Sequence, residues 1–405
     1  MQKKPTLPKD VESILNILHE NQFEAYIVGG CVRDTLLGIA PKDWDITTNA
    51  KPLEVKSLFP HTFDTGIEHG TVTVVINHEN YEVTTYRIDG IYEDGRHPKE
   101  VQFTSFLQED LRRRDFTINA IAYNEREGYQ DFFEGQSDLA KQQLKGVGDA
   151  DLRFQEDALR MLRCVRFSAQ LDFDIEPATY LALQKNMVNI KKISVERIRI
   201  ELEKLFISKH VHRMVHLWNS GLLREINETF AERIVKIDGL LQQLAKCDAV
   251  AVLRWTLALQ NYTPKEAQKF FKSLKFDTYT EKTVCTLLKD LHIPVPDTAY
   301  AIRKQLGVLG ADNFNYKCHL QQILFPNHNW SHILELQKNV TANKECTCIK
   351  ELEIDGNDLI ALGIPKGKQI GEVQKYLLET ILHYTEQNTK ETLQQLAKEW
   401  LTQQN

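Results

Sequence analysis

The sequence runs to 405 residues, which makes room for about two to four domains at roughly 100–200 residues each. Hydrophobic residues make up 42% and charged residues 26%, a globular balance that excludes disorder along the whole chain. With 50 Lys and Arg against 56 Asp and Glu, the formal charge is −6. That excludes nucleic-acid binding by bulk positive charge and leaves only local basic patches for it.

In chain order, apolar residues three and four apart predict a helix over 10–21, with Val11, Ile14, Leu15 and Leu18 on one face. Ala25–Val28 reads as a strand ending at Gly29-Gly30, followed by a helix over 31–37 that Gly38 stops. A strand over 43–47 and a helix over Pro52–Leu58 follow. Thr71–Ile76 and residues 81–87, rich in Val and Thr, read as a β-hairpin. A helix ends over 109–114, and the apolar run 118–123 is expected to be buried. After about residue 150 the strand signal fades. Residues 151–171 have long helical character. Ser194 reads as the N-cap of Val195–Phe206, with Glu196 in the first turn. Helices and short turns continue to the end, with apolar spacing at 378–382 and 393–401. The picture is a small α/β head, then a long helical body and tail.

Seven cysteines, an odd number, and no secretory apolar segment after Met1 predict a cytoplasmic protein with free thiols. Cys346-Thr347-Cys348 has no second pair at zinc spacing and reads as structural. No apolar run nears the ~18 residues of a membrane helix, and 249–259 is interrupted by Arg254; no membrane contact is expected.

Five short constellations carry chemistry. Gly29-Gly30-Cys31-Val32-Arg33-Asp34 sits at a strand-to-helix junction, where the backbone approaches a phosphate closely and Arg33 adds a bidentate contact. Asp43-Trp44-Asp45, read as strand, turns two carboxylates to one face, a donor pair suited to Mg²⁺. Glu82 is an acid inside a β-branched strand, where a charge needs a partner or a metal. Residues 111–119, Leu-Arg-Arg-Arg-Asp-Phe-Thr-Ile-Asn, contain three arginines ahead of polar groups. In 156–166, Asp157, Arg160, Arg163 and Arg166 recur every three residues as a polar stripe beside Leu159, Leu162 and Val165. Each alone also fits an ordinary feature: a tight turn, a solvated strand end, an open sheet face, a helix terminus, an exposed helix face with i,i+3 ion pairs.

In their order and spacing the five resemble the nucleotidyltransferase head of the class II tRNA nucleotidyltransferases, the CCA-adding enzymes, a head that bacterial poly(A) polymerases share. The matching patterns are GG-x-VRD, D-x-D, EVTT, RRDFT-x-NA and ED-x-x-R. Residues 131–139 resemble the family's hinge motif, Ser194-Val195-Glu196-Arg197 its neck, and 354–360 its tail. The resemblance implies an α+β head of nucleotidyltransferase fold (a mixed sheet flanked by helices) over 1–147. An all-α neck over 148–210, a body over 211–310 and a tRNA-binding tail over 311–405 would follow. It also implies addition of CCA to the tRNA acceptor end from CTP and ATP, by a monomer or homodimer. Asp43 and Asp45 would hold Mg²⁺, and Glu82 would be the third carboxylate. Gly30, Arg33 and Arg114 would grip the triphosphate, Asp115 would meet the ribose hydroxyl, and Asn119 would be a further nucleotide-binding residue. Asp157 and Arg160 would face the base, with Arg163 and Arg166 toward the nucleotide or the RNA end.

That last assignment has an atomic rationale. Cytosine and adenine both offer an amino donor beside a ring-nitrogen acceptor, which a carboxylate and a guanidinium complement. Uracil and guanine reverse the pattern. In the family, the change from C to A is attributed to a lever loop; residues 87–98, with two glycines and a terminal Pro98, occupy that position and suit a mobile loop. The resemblance leaves a poly(A) polymerase or an A-only enzyme open as the alternative. A second, phosphohydrolase activity is not expected, since no His-Asp dipeptide occurs in the chain.

Overall fold

Short runs of Val, Ile and Thr build the sheet of the head. The computed structural model describes residues 4–90 and 101–404. It divides into one unit of residues 1–241 with 273–275, and a second of 242–272 with 276–405. In the first unit the strands are β1 (Ala25–Val28), β2 (Ile46–Thr48), β3 (Thr62–Gly66), β4 (Thr71–Ile76), β5 (Glu79–Thr85), β6 (Arg87–Asp89), β7 (Val101–Phe103), β8 (Ala122–Asn124) and β9 (Gly128–Gln130). Seven of them form one mixed sheet in the order β3-β4-β5-β2-β1-β8-β9. β2 and β5 run parallel and the other neighbours antiparallel. The β4–β5 hairpin turns through Asn77 and His78, at φ 52° and 67°, the left-handed pair of a tight turn.

Two strand boundaries differ from expectation. β2 starts at Ile46, so Asp43 and Asp45 precede the strand. The reason is the end of its neighbour: β1 stops at Val28, and the bond from the Val28 N–H to the Asp45 carbonyl (3.0 Å) is the last on that side. β5 ends at Thr85 because the chain leaves the sheet after Tyr86 and pairs as a separate ribbon, β6 with β7. Residues 87–89 of the segment read as the lever loop are therefore strand, and its residues 91–98 lie outside the described residues.

The helices flanking the sheet are α1 (Lys9–Glu20), α2 (Gly30–Leu37), α3 (Pro52–Leu58), α4 (Leu107–Arg112) and α5 (Gly135–Ala140). Val11, Ile14, Leu15 and Leu18 are buried as their spacing predicts. Gly38 ends α2 in the left-handed conformation, φ 76°. The neck holds α6 (Ala150–Glu156), α7 (Leu159–Leu171), α8 (Pro177–Asn186) and α9 (Val195–Phe206). The long helix expected over 151–171 is two helices, because Asp157 is extended (φ −137°, ψ 102°) and its side chain accepts the Leu159 N–H at 3.0 Å. A short acidic side chain that bonds the backbone two residues on competes with the helical ladder. Ser194 precedes α9 as expected but makes no side-chain capping bond.

The second unit is helical. Trp255 is fully buried, with the rings of Phe270, Phe271 and Phe276 centred 5.7, 6.1 and 5.1 Å from it. Arg254, on the same helix, is buried and donates to the Cys247 carbonyl. The helix Ala299–Leu324 is kinked at Gly310 (φ 76°, ψ 163°). In the tail segment, Asp355 caps Gly356–Ala361 by accepting the Asn357 and Asp358 N–H groups. Cys346 lies in an apolar cluster with Leu359, Val373 and Leu377, and all seven cysteines are free. Among the described residues no helix is long and apolar enough to cross a membrane.

Gly135, in the hinge motif, packs where no side chain fits: a Cβ there would lie 2.2 Å from the Thr117 carbonyl and 2.8 Å from Ile121. Gly135→Ala is expected to destabilise the protein by about 1–3 kcal/mol through overpacking, read as a lower midpoint in urea unfolding.

Candidate active site

The site starts where β1 meets α2. Gly29 has φ 80°, and a Cβ on it would stand 3.0 Å from Arg114 Nη1, so both conformation and close approach call for glycine. One turn on, Arg33 is only 9% exposed, which rules out a solvated surface arginine. It donates to Asn119 Oδ1 at 2.8 Å and pairs with Asp34 at 2.7 Å.

Asp43, Asp45 and Glu82 stand together at the edge of this junction. The parallel register sets Ile46 opposite Val83, which brings Asp45 beside Glu82. Burial pushes the Asp45 carboxyl up, the Arg114 guanidinium opposes, and the Asp43 charge adds to the push. Desolvation, then the charges of Asp45 and Asp43, push Glu82 up too. All three nonetheless keep open faces to solvent. Among the described residues no three His, Cys, Asp or Glu side chains close into a metal cage. Two crowded hard-oxygen donors with no third protein ligand fit a divalent cation that fills its other positions with water and phosphate oxygens.

The Arg-Arg-Arg run splits by burial. Arg112 points outward, 53% exposed at the side chain, while Arg113 and Arg114 turn in toward the buried Asp110. Asp115 accepts from the Phe116 N–H and Asn119 through Oδ1, and from Arg163 Nε (2.8 Å) and Nη2 (2.6 Å) through Oδ2. Burial alone would raise its carboxyl; Arg163 and Asn119 override that and hold it well below the ordinary carboxylate range.

From the neck, Asp157 pairs with Arg197 of α9 at 2.9 Å. Arg160 donates to Glu156 (2.7 Å), the Arg153 carbonyl (3.2 Å) and the Arg113 carbonyl (2.7 Å). Arg163 reaches Asp115, whereas Arg166 is buried against Glu201 at 2.5 Å and stacks over Phe167 at 4.0 Å. The ring of Phe167 also lies 5.1 Å from the Arg33 guanidinium and 5.2 Å from that of Arg163.

Gly30, Arg33, Asp45, Arg114, Asp115, Asn119, Asp157, Arg160 and Arg163 all line one cavity of about 430 Å³. Asp43, Glu82 and Arg166 do not line it. Arg113, Phe167 and Arg197 do, although sequence reasoning did not single them out. Phe167 had a signal, an aromatic directly after Arg166 in an arginine-rich helix; Arg197 had only its place in the neck motif.

A carboxylate with a depressed folded-state pKa contributes stability above its unfolded value, about 3.9, and loses that contribution as pH falls further. Asp115→Asn is thus expected to be less stable than the parent by a similar margin near pH 7 and 5, and by a smaller one near pH 3. Urea unfolding of both proteins at the three pH values measures that difference.

Residues 25–145 match the poly A polymerase head domain, residues 172–233 the probable RNA and SrmB-binding site of polymerase A, and residues 250–397 the putative tRNA nucleotidyltransferase domain 2. The CCA-adding enzyme of Leuconostoc mesenteroides is 36% identical over 402 residues, 98% of this chain and 97% of its own length. That of Pediococcus pentosaceus is 39% identical over 373 residues, 90% of this chain and 91% of its own. The crystal structure of the Bacillus stearothermophilus CCA-adding enzyme in complex with CTP is similar with a TM-score of 0.83 and 29% identity, over 98% of this chain and 99% of that one. With the head's mixed sheet, the arginine-lined cavity and these full-length likenesses, the chain belongs to the family of CCA-adding enzymes, which are nucleotidyltransferases.

Proposed function

We propose that this protein adds the 3′-terminal CCA to tRNA from CTP and ATP, without a nucleic-acid template, and releases pyrophosphate at each addition. The observation that carries the reading is the single cavity into which glycine, arginine and acidic groups from the head and neck converge. The match of residues 250–397 to a tRNA nucleotidyltransferase domain favours tRNA over open-ended poly(A) synthesis.

In this mechanism the RNA 3′-hydroxyl attacks the α-phosphorus, the bond to pyrophosphate breaks, and the hydroxyl proton leaves. Asp43 and Asp45 would hold Mg²⁺. Divalent ions held there would supply Lewis-acid stabilisation of the charge that develops during transfer. Glu82, whose carboxyl is pushed up, suits acceptance of the hydroxyl proton. Gly30 lets the triphosphate approach the start of α2, and Arg33 and Arg114 neutralise it. Asp115 with Asn119 meets the ribose hydroxyl, and Arg163 keeps Asp115 ionised. Arg166 acts behind the cavity, through Phe167.

Base selection falls to Asp157 and Arg160. The bonds of Arg160 occupy both Nη1 hydrogens and one Nη2 hydrogen, which leaves Nε and the second Nη2 hydrogen for a ring nitrogen. Asp157 accepts from Leu159 and Arg197 and keeps capacity for one amino donor. C and A satisfy both groups; U and G set a carbonyl against the carboxylate and an N–H against the guanidinium. The tail over 311–405 is the part we assign to tRNA.

Incubation of the purified protein with tRNA lacking its 3′ end and each triphosphate, singly and together, tests the reading. Addition that stops after C, C and A supports it; an open ladder of A supports the poly(A) polymerase reading instead. Asp43→Ala is expected to lower transfer on the order of a thousandfold or more while tRNA affinity, measured by filter binding, stays within a few-fold. Asp157→Ala is expected to reduce discrimination against UTP by roughly 10- to 100-fold, read by competing CTP with UTP in single-nucleotide addition.

A further inference from the structure

Asp110 took no part in the reading above, yet it is fully buried. A buried carboxylate survives only with several donors, and here the donors come from separate elements. Arg113 Nε and Nη2 bond Oδ1 at 3.0 and 2.8 Å. Arg114 Nη2 lies 3.4 Å from Oδ2. Thr47 of β2 donates to Oδ2 at 3.2 Å, and the N–H of Arg87, which opens β6, approaches Oδ1 at 3.4 Å. Burial works against its charge, and the Arg113 and Arg114 guanidinium groups outweigh burial, so its carboxyl sits below the ordinary range. The two arginines it holds both line the cavity, and the Arg113 carbonyl accepts from Arg160.

We propose that Asp110 is a positioning residue of the nucleotide site: its buried carboxylate fixes the Arg113 and Arg114 guanidinium groups toward the phosphates and, through the Arg113 carbonyl, steadies Arg160 beside the base. The inference rests on the reading of the cavity as a triphosphate site. Asp110 touches no reacting atom. Its charge prevents two adjacent guanidinium groups from turning to water, so the cavity meets the polyphosphate already ordered.

The test separates positioning from mere support of the fold, and it needs no catalysis. Binding of CTP and of inorganic pyrophosphate, each with MgCl₂ and without RNA, is measured calorimetrically for the parent, Asp110→Asn and Thr47→Val, alongside thermal unfolding. Asp110→Asn keeps the shape and removes the charge; Thr47→Val removes a bond to the same carboxylate and leaves the charge. Affinity for both ligands is expected to fall roughly tenfold in D110N, and to stay within about twofold in T47V even where its unfolding temperature drops. D110N within twofold of the parent, or an equal loss in both variants, overturns the inference. If D110N shows no cooperative unfolding, Asp110→Glu decides, since it keeps the charge but displaces it by one methylene: a several-fold loss of pyrophosphate affinity supports positioning, and parental affinity overturns it. A parent that binds CTP but transfers nothing to tRNA sinks the functional reading alone; a parent that binds neither ligand sinks both.

Discussion

Guanidinium groups crowd one cavity, and the site depends on pairing each of them with a carboxylate. Arg33 has Asp34, Arg113 and Arg114 share Asp110, Arg160 has Glu156, Arg163 has Asp115, and Arg197 has Asp157. Two like charges about 4 Å apart repel by about 4 kcal/mol at an effective dielectric of about 20. Several unpaired arginines would therefore push the cavity walls apart or draw in water. The pairing also explains how a chain of formal charge −6 meets a polyanion: positive charge is concentrated locally, and the acids beside it hold it in place.

The sheet supplies the other half of the arrangement. Because β1 is short and turns straight into α2, it brings Gly29 and Gly30 beside the end of the Asp43–Asp45 segment. The parallel pairing of β2 with β5 then adds Glu82 to the same edge. The placement of the two glycines and of the carboxylate trio thus follows from one strand's length and one register. Glu82 is fixed by its strand, and Asp45, just ahead of β2, is tied to the sheet by the bond from the Val28 N–H to its carbonyl.

Much of this was legible before any coordinates. Local signals were reliable: β-branched residues set Thr71–Ile76, Pro52 opened α3, and a double glycine marked the strand-to-helix junction. Where local and distant interactions compete, the text misleads. The helical character of 151–171 reads as one helix, because the pairing with Arg197 that joins the local bond to Leu159 in holding Asp157 extended comes from 40 residues away. The polar stripe of α7 reads as solvated, yet Arg160 and Arg166 are buried, since Glu156 and Glu201 neutralise them. Asp110 carried only a faint sign, an acid three residues before Arg113, and its burial follows from tertiary packing against β2 and β6.

The break between α6 and α7 has a consequence for how such a site changes over time. Asp157 lies between the two helices, so a different side chain there forfeits the bond to the Leu159 N–H, worth about 1 kcal/mol, and the ion pair with Arg197, while the backbone bonds of both helices stay in place. The joint is in that sense tied to its surroundings by one cap and one ion pair. Change at this joint therefore proceeds through side-chain contacts alone and spares the backbone bonds that end one helix and begin the next.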